Sequence, residues 1–261
     1  MMVGIVMEKP KEKSWIRYIK QRIQQNKNAL IFVSGQTGSS KSWSCISIGE
    51  QLDPEFNIDR IVFSVEALME LLNSGKIKKG SAIVFEELGV EHSHKTWASI
   101  TNKMLNYLVQ TFRHLNIVLL MNSPHMDFID SSTRKLFHAE LRAMSIDFKK
   151  KEARLNPQLI SYNSRMQKFY YRYLRVATKN GVETITCWRV AKPKSDTLIK
   201  EYEAKKLQYT KQLRATILME VKKAKQKKTK MNCKQCNHNW ITRKSSSAFP
   251  VVCPSCHKNP Y

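Results

Sequence analysis

Short apolar runs alternate with amphipathic stretches along the first half of the chain. Three uninterrupted runs end at glycine or polar residues, as is typical of buried strands: 29–34, 81–85 and 116–121. A shorter strand is predicted at 60–63. Between the runs, apolar residues at helical spacing predict three helices: 41–52, 65–72 and 97–114. Strands that alternate with helices indicate a parallel sheet covered on both faces.

The period of the pattern changes after residue 136. Segments 137–149 and 168–178 alternate in the manner of strands, and Asn180-Gly181 is a strong hairpin turn into 182–190. We expect this β-rich piece to extend the same sheet. A long polar helix, predicted over 196–228, follows it and is rich in lysine.

These changes of pattern predict four segments. They are an N-terminal basic helix (1–27), an α/β core with a β-hairpin extension (28–192), a long basic helix or linker (193–230), and a small cysteine module (231–261).

A segment of glycine, hydroxyl and amide residues with one lysine joins the first strand to the first core helix: Gly35, Gln36, Thr37, Gly38, Ser39, Ser40, Lys41 and Ser42. The spacing matches a Walker A loop, whose backbone N–H groups and helix N-terminus hold the phosphates of ATP. We expect Lys41 to contact these phosphates and the Ser42 hydroxyl to bind Mg²⁺. Ser40 replaces the usual second glycine. A positive φ there would cost on the order of 1 kcal/mol.

Two acids and an amide follow the later buried strands. Glu86, which we expect to hold Mg²⁺, and Glu87, which we expect to activate the attacking water, end the run 81–85. Asn122 is placed as a polar sensor of the terminal phosphate. Arg113 and Arg134 are candidates for the positive charge that stabilises the transition state.

The charge of the chain is uneven. Of 45 basic and 21 acidic side chains, residues 151–261 carry 25 basic and 6 acidic, which favours a polyanion partner such as nucleic acid. The apolar runs are too short to cross a membrane, and no secretory signal precedes them. The sequence therefore predicts a cytoplasmic protein without a membrane partner.

The last thirty residues contain two Cys-x-x-Cys pairs separated by sixteen residues. This spacing is typical of a four-thiolate zinc site, in which the metal supplies the stability that so short a segment lacks. His238 and His257 are alternative ligands. Trp240, beside Arg243 and Lys244, suggests a nucleic-acid surface, but a protein partner fits as well. The expected ligands are Cys233, Cys236, Cys253 and Cys256.

The phosphate loop, the strand that ends in Glu86-Glu87 and the segment 112–124 together resemble the FtsK–HerA superfamily of P-loop ATPases. Within it, the chain is similar to the zonular-occludens-toxin-like ATPases of viruses and mobile elements. The resemblance covers roughly 28–140. It implies a RecA-like core, homo-oligomeric rings that are often hexamers, and ATP hydrolysis coupled to moving or packaging DNA.

Carried over by position, the resemblance assigns Walker A roles to Lys41 and Ser42, and Walker B roles to Glu86 and Glu87. It makes Asn122 the sensor, and Arg113 lies where the family often has an arginine that reaches a neighbour's nucleotide. Glu86 stands where aspartate is commoner.

The expected function is an ATP-driven DNA translocase or packaging motor of a virus or mobile element, acting on double-stranded DNA without sequence specificity. A nucleotide switch or adaptor with little hydrolysis, bound to nucleic acid or protein through the cysteine module, is the main alternative. A binding protein with a vestigial phosphate loop and a kinase-like transferase also remain open.

Overall fold

The structure is a computed structural model that describes residues 14–86, 112–178, 181–226, 230–241 and 252–259. Residues 87–111 lie outside the described residues, and they include most of the predicted helix 97–114; its last residues, 112–114, belong to a 3₁₀ turn over Phe112–Leu115. The chain divides into two compact units, Met1–Glu203 and Ala204–Tyr261. The four-segment division proposed from the sequence stays a prediction.

Five α-helices are described, and they are numbered here in chain order: α1 (Ser14–Gln24), α2 (Lys41–Leu52), α3 (Val65–Asn73), α4 (Ser131–Arg134) and α5 (Asp196–Gln226). Twelve strands are described: β1 (Ala29–Ser34), β2 (Ile61–Val62), β3 (Ala82–Phe85), β4 (Val118–Asn122), β5 (Ala139–Asp147), β6 (Glu152–Asn163), β7 (Lys168–Arg172), β8 (Leu174–Thr178), β9 (Gly181–Ile185), β10 (Trp188–Ala191), β11 (Lys230–Asn232) and β12 (Asn239–Ile241).

The central sheet has the strand order β10-β6-β5-β1-β4-β3-β2, with β7 also paired to β6. The five strands from β5 to β2 are parallel, and β6, β7 and β10 extend them antiparallel. This arrangement confirms the predicted α/β class, a RecA-like P-loop core with a β-rich extension. The side chains of β1, β3 and β4 are all buried, as expected for central parallel strands.

The β-rich part is more divided than the sequence pattern predicted. Segment 168–178 forms two strands that belong to different sheets, since β7 joins the central sheet whereas β8 pairs with β9. The sequence pattern does not predict the strand β6, which has Pro157 in its middle. On the side of β6 away from β5, Leu155 pairs with β10 and Leu159 pairs with β7. Pro157 therefore lies where one partner has ended and the next begins, so its missing N–H costs no ladder bond.

A buried ion pair fixes the start of β3. The carboxylate of Asp53, just after α2, lies 2.6 Å from the Arg60 guanidinium and also accepts the backbone N–H of Ala82 at 2.9 Å. Both side chains are almost fully buried. The pair ties the end of α2 to the strand that carries Glu86.

The helix α1 buries Trp15, Ile19 and Ile23, and Trp15 stacks on Trp188 of β10 with 6.1 Å between ring centroids. Within the described parts of the chain, no helix has both the length and the apolar character needed to cross a membrane.

Candidate phosphate and metal sites

The loop between β1 and α2 has the backbone form of an anion site. It leaves the central strand at Gly35 and enters α2 at Lys41, so the N-terminus of a twelve-residue helix points into the loop. Ser40 adopts φ +70°, in the left-handed region of the backbone map. The chain therefore accepts strain of about 1 kcal/mol to keep a side chain where glycine is usual. The Ser40 carbonyl still accepts the N–H and the hydroxyl of Ser44, at 2.9 and 2.8 Å.

Two glycines meet different demands in the same loop. Gly35 has φ +145°, and a Cβ at this position would lie 2.9 Å from the Ala143 carbonyl oxygen of β5. Gly38 has φ +79°, and a Cβ at this position would meet no other atom within 4 Å. Gly35 is thus required by both conformation and space, whereas Gly38 is required by conformation alone.

We expect Gly35→Ala to destabilise the protein by about 2–4 kcal/mol, because left-handed strain adds to a clash with backbone. Gly38→Ala is the matched control and should cost only about 1 kcal/mol. Urea unfolding of both variants measures the difference. Equal losses of stability would show that the contact with β5 does not constrain the loop.

Lys41 begins α2 and folds back over the loop. Its ammonium donates to the Gln36 carbonyl oxygen at 2.8 Å, an exposed contact. Within the loop, the Ser39 hydroxyl is buried and has no hydrogen-bond partner in the described structure. A buried hydroxyl of this kind fits a loop that receives an acceptor such as a phosphate oxygen.

Ser42, Glu86 and Asn122 meet at the carboxyl edge of the sheet. Ser42 Oγ donates to Glu86 Oε2 at 2.9 Å, and Asn122 Nδ2 donates to Glu86 Oε1 at 2.8 Å. Asn122 Nδ2 also lies 3.3 Å from Ser42 Oγ. The carboxyl end of β4 lies between those of β1 and β3, so parallel strands bring these side chains together. Glu86 is fully buried.

The sequence did not single out a fourth member of this cluster. Tyr202 of α5 donates its hydroxyl to Glu86 Oε2 at 3.2 Å, and its side chain is almost fully buried. In the sequence, the sign that Tyr202 is buried is the helical spacing of the apolar residues Leu198 and Ile199 with Tyr202, at the start of an otherwise polar helix.

Cys45 lies in α2, close to the same cluster. Burial raises the pKa of its thiol well above the usual range, and the negative charge of Glu86 raises it further. The thiol therefore stays protonated at neutral pH, and Cys45 has no features of a nucleophile.

Other candidate residues are placed less completely. Glu87 lies outside the described residues, and of Arg113 only the backbone is described, in a 3₁₀ turn over Phe112–Leu115. Their roles stay predictions. Arg134 Nη1 lies 2.7 Å from the carboxylate of Asp127, and the Arg134 Nε is buried without a hydrogen-bond partner among the described atoms.

A cavity of about 810 Å³ opens beside the loop. Loop residues from Gly35 to Ser39 line one side, and β5 lines another. Met144 and Phe148 also line the cavity, and their exposed fractions are 61% and 81%.

The cysteine module brings its four sulfurs together. The four Sγ atoms all lie within 4.8 Å of one another, and Cys233–Cys256 and Cys236–Cys253 are each 3.6 Å apart. Tetrahedral zinc with Zn–S bonds of about 2.3 Å places sulfurs roughly 3.8 Å apart, so the arrangement is compatible with zinc. Neither His238 nor His257, the alternative ligands, belongs to this cluster.

The two Cys-x-x-Cys pairs adopt the same backbone form. Cys233 N–H donates to the His238 carbonyl, and Cys253 N–H donates to the Lys258 carbonyl, both at 3.0 Å. Asn237 and His257, four residues after the first cysteine of each pair, have positive φ of 55° and 56°. The shared turn aims both sulfurs of each pair at one point.

No protein-family model matches the chain, and none of the curated proteins compared with it is similar enough to count as a relative. Among solved structures, the N-terminal domain of zonular occludens toxin from Neisseria meningitidis is 14% identical. That match covers 57% of this chain and 95% of that one, with a TM-score of 0.33.

Two further structures are similar to a comparable degree. ATPases 2 and 3 of EssC from Geobacillus thermodenitrificans are 11% identical, over 71% of this chain and 45% of that one, with a TM-score of 0.33. A KaiC-like protein from Pyrococcus horikoshii is 9% identical, over 61% and 89%, with a TM-score of 0.30. Because these identities and TM-scores are low, the fold assignment rests on this chain's own strand order and loop geometry.

Proposed function

We propose that the chain is an ATPase that works on DNA, of the translocase or packaging type, with its phosphate site at the loop before α2. One observation carries the proposal: Ser42, Glu86 and Asn122 form a hydrogen-bonded cluster directly behind that loop. A hydroxyl, a carboxylate and an amide beside a helix N-terminus are the groups that P-loop phosphoryl transfer requires.

Each of these groups has a separate task in the proposed reaction. The loop's N–H groups and Lys41 bind the phosphates, while the oxygen atoms of Ser42 and Glu86 are ligands that suit Mg²⁺. Bound Mg²⁺ would neutralise charge on the phosphates. Asn122 would contact the terminal phosphate, and Glu87 would take the proton of the attacking water.

The cavity beside the loop offers room for the remainder of the nucleotide. Its volume of about 810 Å³ lies in the range of small-molecule sites. Met144 and Phe148 supply apolar surface for the flat face of a base.

The uneven charge supports DNA as the partner. Residues 151–261 carry 25 basic against 6 acidic side chains, and Lys200, Lys211 and Lys222 of α5 are exposed. Binding through phosphate contacts alone has Kd values around 10⁻⁴–10⁻⁶ M and weakens with salt. The family resemblance adds a homo-oligomeric ring, and the cysteine module, with zinc bound, would contact DNA or a protein partner.

The test is the rate of ATP hydrolysis with and without double-stranded DNA. We expect DNA to stimulate turnover in the intact chain, and Glu87→Gln to lower it by about 100-fold or more because the water loses its base. Glu66→Gln, which changes an exposed acid of α3, is the matched control and should leave the rate unchanged.

The outcomes separate the candidate functions. Tight ATP binding with negligible turnover, with or without DNA, would favour the nucleotide switch. Absence of nucleotide binding would favour a binding protein with a vestigial phosphate loop.

A further inference from the structure

The helix α5 is anchored to the core by its first two turns. The Ser195 hydroxyl accepts the N–H of Leu198 at 3.1 Å and caps the helix. Leu198, Ile199 and Tyr202 are then buried, at positions that share one helical face. The burial of these side chains gives the phenol of Tyr202 a defined position.

The ring of Tyr202 is held independently of its hydroxyl. It stacks on Phe63 with 6.3 Å between ring centroids and an interplanar angle of 15°. Phe63 directly follows β2, and the Glu86 N–H donates to the Val62 carbonyl of that strand at 2.9 Å. Tyr202 is therefore packed against the same strand pair that positions Glu86.

The Tyr202 hydroxyl acts on one particular oxygen of Glu86. Oε2 accepts from both Tyr202, at 3.2 Å, and Ser42, at 2.9 Å, while Oε1 accepts from Asn122 at 2.8 Å. A fully buried carboxylate is stable only where donors hold it, and donors from several directions also fix its rotation. Tyr202 of α5 is thus a donor to Oε2 that belongs neither to the phosphate loop nor to the central strands.

We propose that Tyr202 is a positioning residue that orients the Glu86 carboxylate toward the Ser42 hydroxyl and thereby sets the affinity of the site for Mg²⁺. The proposal rests on the proposed nucleotide function. Partners that orient a metal ligand typically change metal affinity by 10–100-fold when they are removed.

The variant Tyr202→Phe tests this role because it keeps the ring that stacks on Phe63 and removes only the donor. Tyr170→Phe is the matched control, since Tyr170 is an exposed residue of β7 whose hydroxyl donates to Met166 Sδ and has no contact with Glu86 among those described. The full-length chain is titrated with Mg²⁺ at a fixed concentration of fluorescent ATP, and fluorescence anisotropy follows binding. In a second experiment, fluorescent ATP is titrated with the protein in the presence of EDTA, which gives the affinity for the nucleotide without Mg²⁺.

We expect Tyr202→Phe to raise the half-saturating Mg²⁺ concentration about tenfold, with unchanged nucleotide affinity in EDTA. Tyr170→Phe should match the unaltered chain in both titrations. A purely structural role would instead lower the urea midpoint of Tyr202→Phe and leave its Mg²⁺ dependence unchanged, and this result would overturn the proposal.

The same titrations distinguish a failure of the proposed function from a failure of the role of Tyr202. If the unaltered chain binds no nucleotide with or without Mg²⁺, the phosphate site is wrong, and the role of Tyr202 falls with it. If the unaltered chain binds ATP with a clear Mg²⁺ dependence that Tyr202→Phe retains, only the role of Tyr202 is wrong.

Discussion

The variant Lys41→Ala should lose ATP affinity by about 100-fold and should hydrolyse ATP at no measurable rate. Lys41 brings a full positive charge to the loop that we propose holds the phosphates, and hydrogen bonds to charged groups contribute about 1.5–3 kcal/mol each. In the structure its ammonium donates to the exposed Gln36 carbonyl at 2.8 Å. Loss of that contact should leave the free energy of unfolding within about 0.5 kcal/mol of its original value.

The comparison requires a lysine that lies outside the phosphate loop and already has a partner on the surface. Lys78 pairs with Glu55 at 2.9 Å on the surface, so Lys78→Ala removes an equal charge without touching the loop. Titration of both variants with fluorescent ATP, together with urea unfolding, measures binding and stability separately. If Lys41→Ala binds ATP as tightly as Lys78→Ala does, the loop is not the phosphate site.

The central part of the fold could be predicted because its signals are local. The strands β1, β3 and β4 are short apolar runs that end at a glycine or a polar residue, and α2 follows directly on a glycine-rich loop. The carboxyl ends of parallel strands meet at one edge, so Ser42, Glu86 and Asn122 could be expected to lie together. Ser40 could be recognised as unusual from its type alone, although its φ of +70° required the structure.

The parts that escaped prediction depend on distant partners. The strand β6 contains Pro157, which is acceptable only because β10 and β7 share the same side of β6 in succession. Tyr202 lies 116 residues beyond Glu86, and a tyrosine at the start of a polar helix carries no local sign of its acceptor. Periodicity shows that a residue is buried, but it does not show which side chain it meets.

Removal of zinc should unfold the cysteine module while the phosphate site keeps its function. Among residues 232–240 and 252–259, whose side chains are described, the buried ones are Cys233 and Cys253, so these residues form no apolar core beyond the ligands. Zinc binding contributes an apparent free energy of about 10–16 kcal/mol in small domains of this kind. We expect about one zinc ion per chain, bound by four thiolates.

The variant Cys253→Ser removes one ligand and should abolish zinc binding, as measured by elemental analysis of the purified protein. Limited proteolysis should then cut within 204–261 and spare the unit that contains β1 and α2. Cys187→Ser is the matched control, because Cys187 is exposed and lies outside the cluster. Its zinc content should equal that of the unaltered chain. Retention of a full zinc ion by Cys253→Ser would contradict the four-cysteine site, because tetrahedral coordination would then need a ligand from elsewhere.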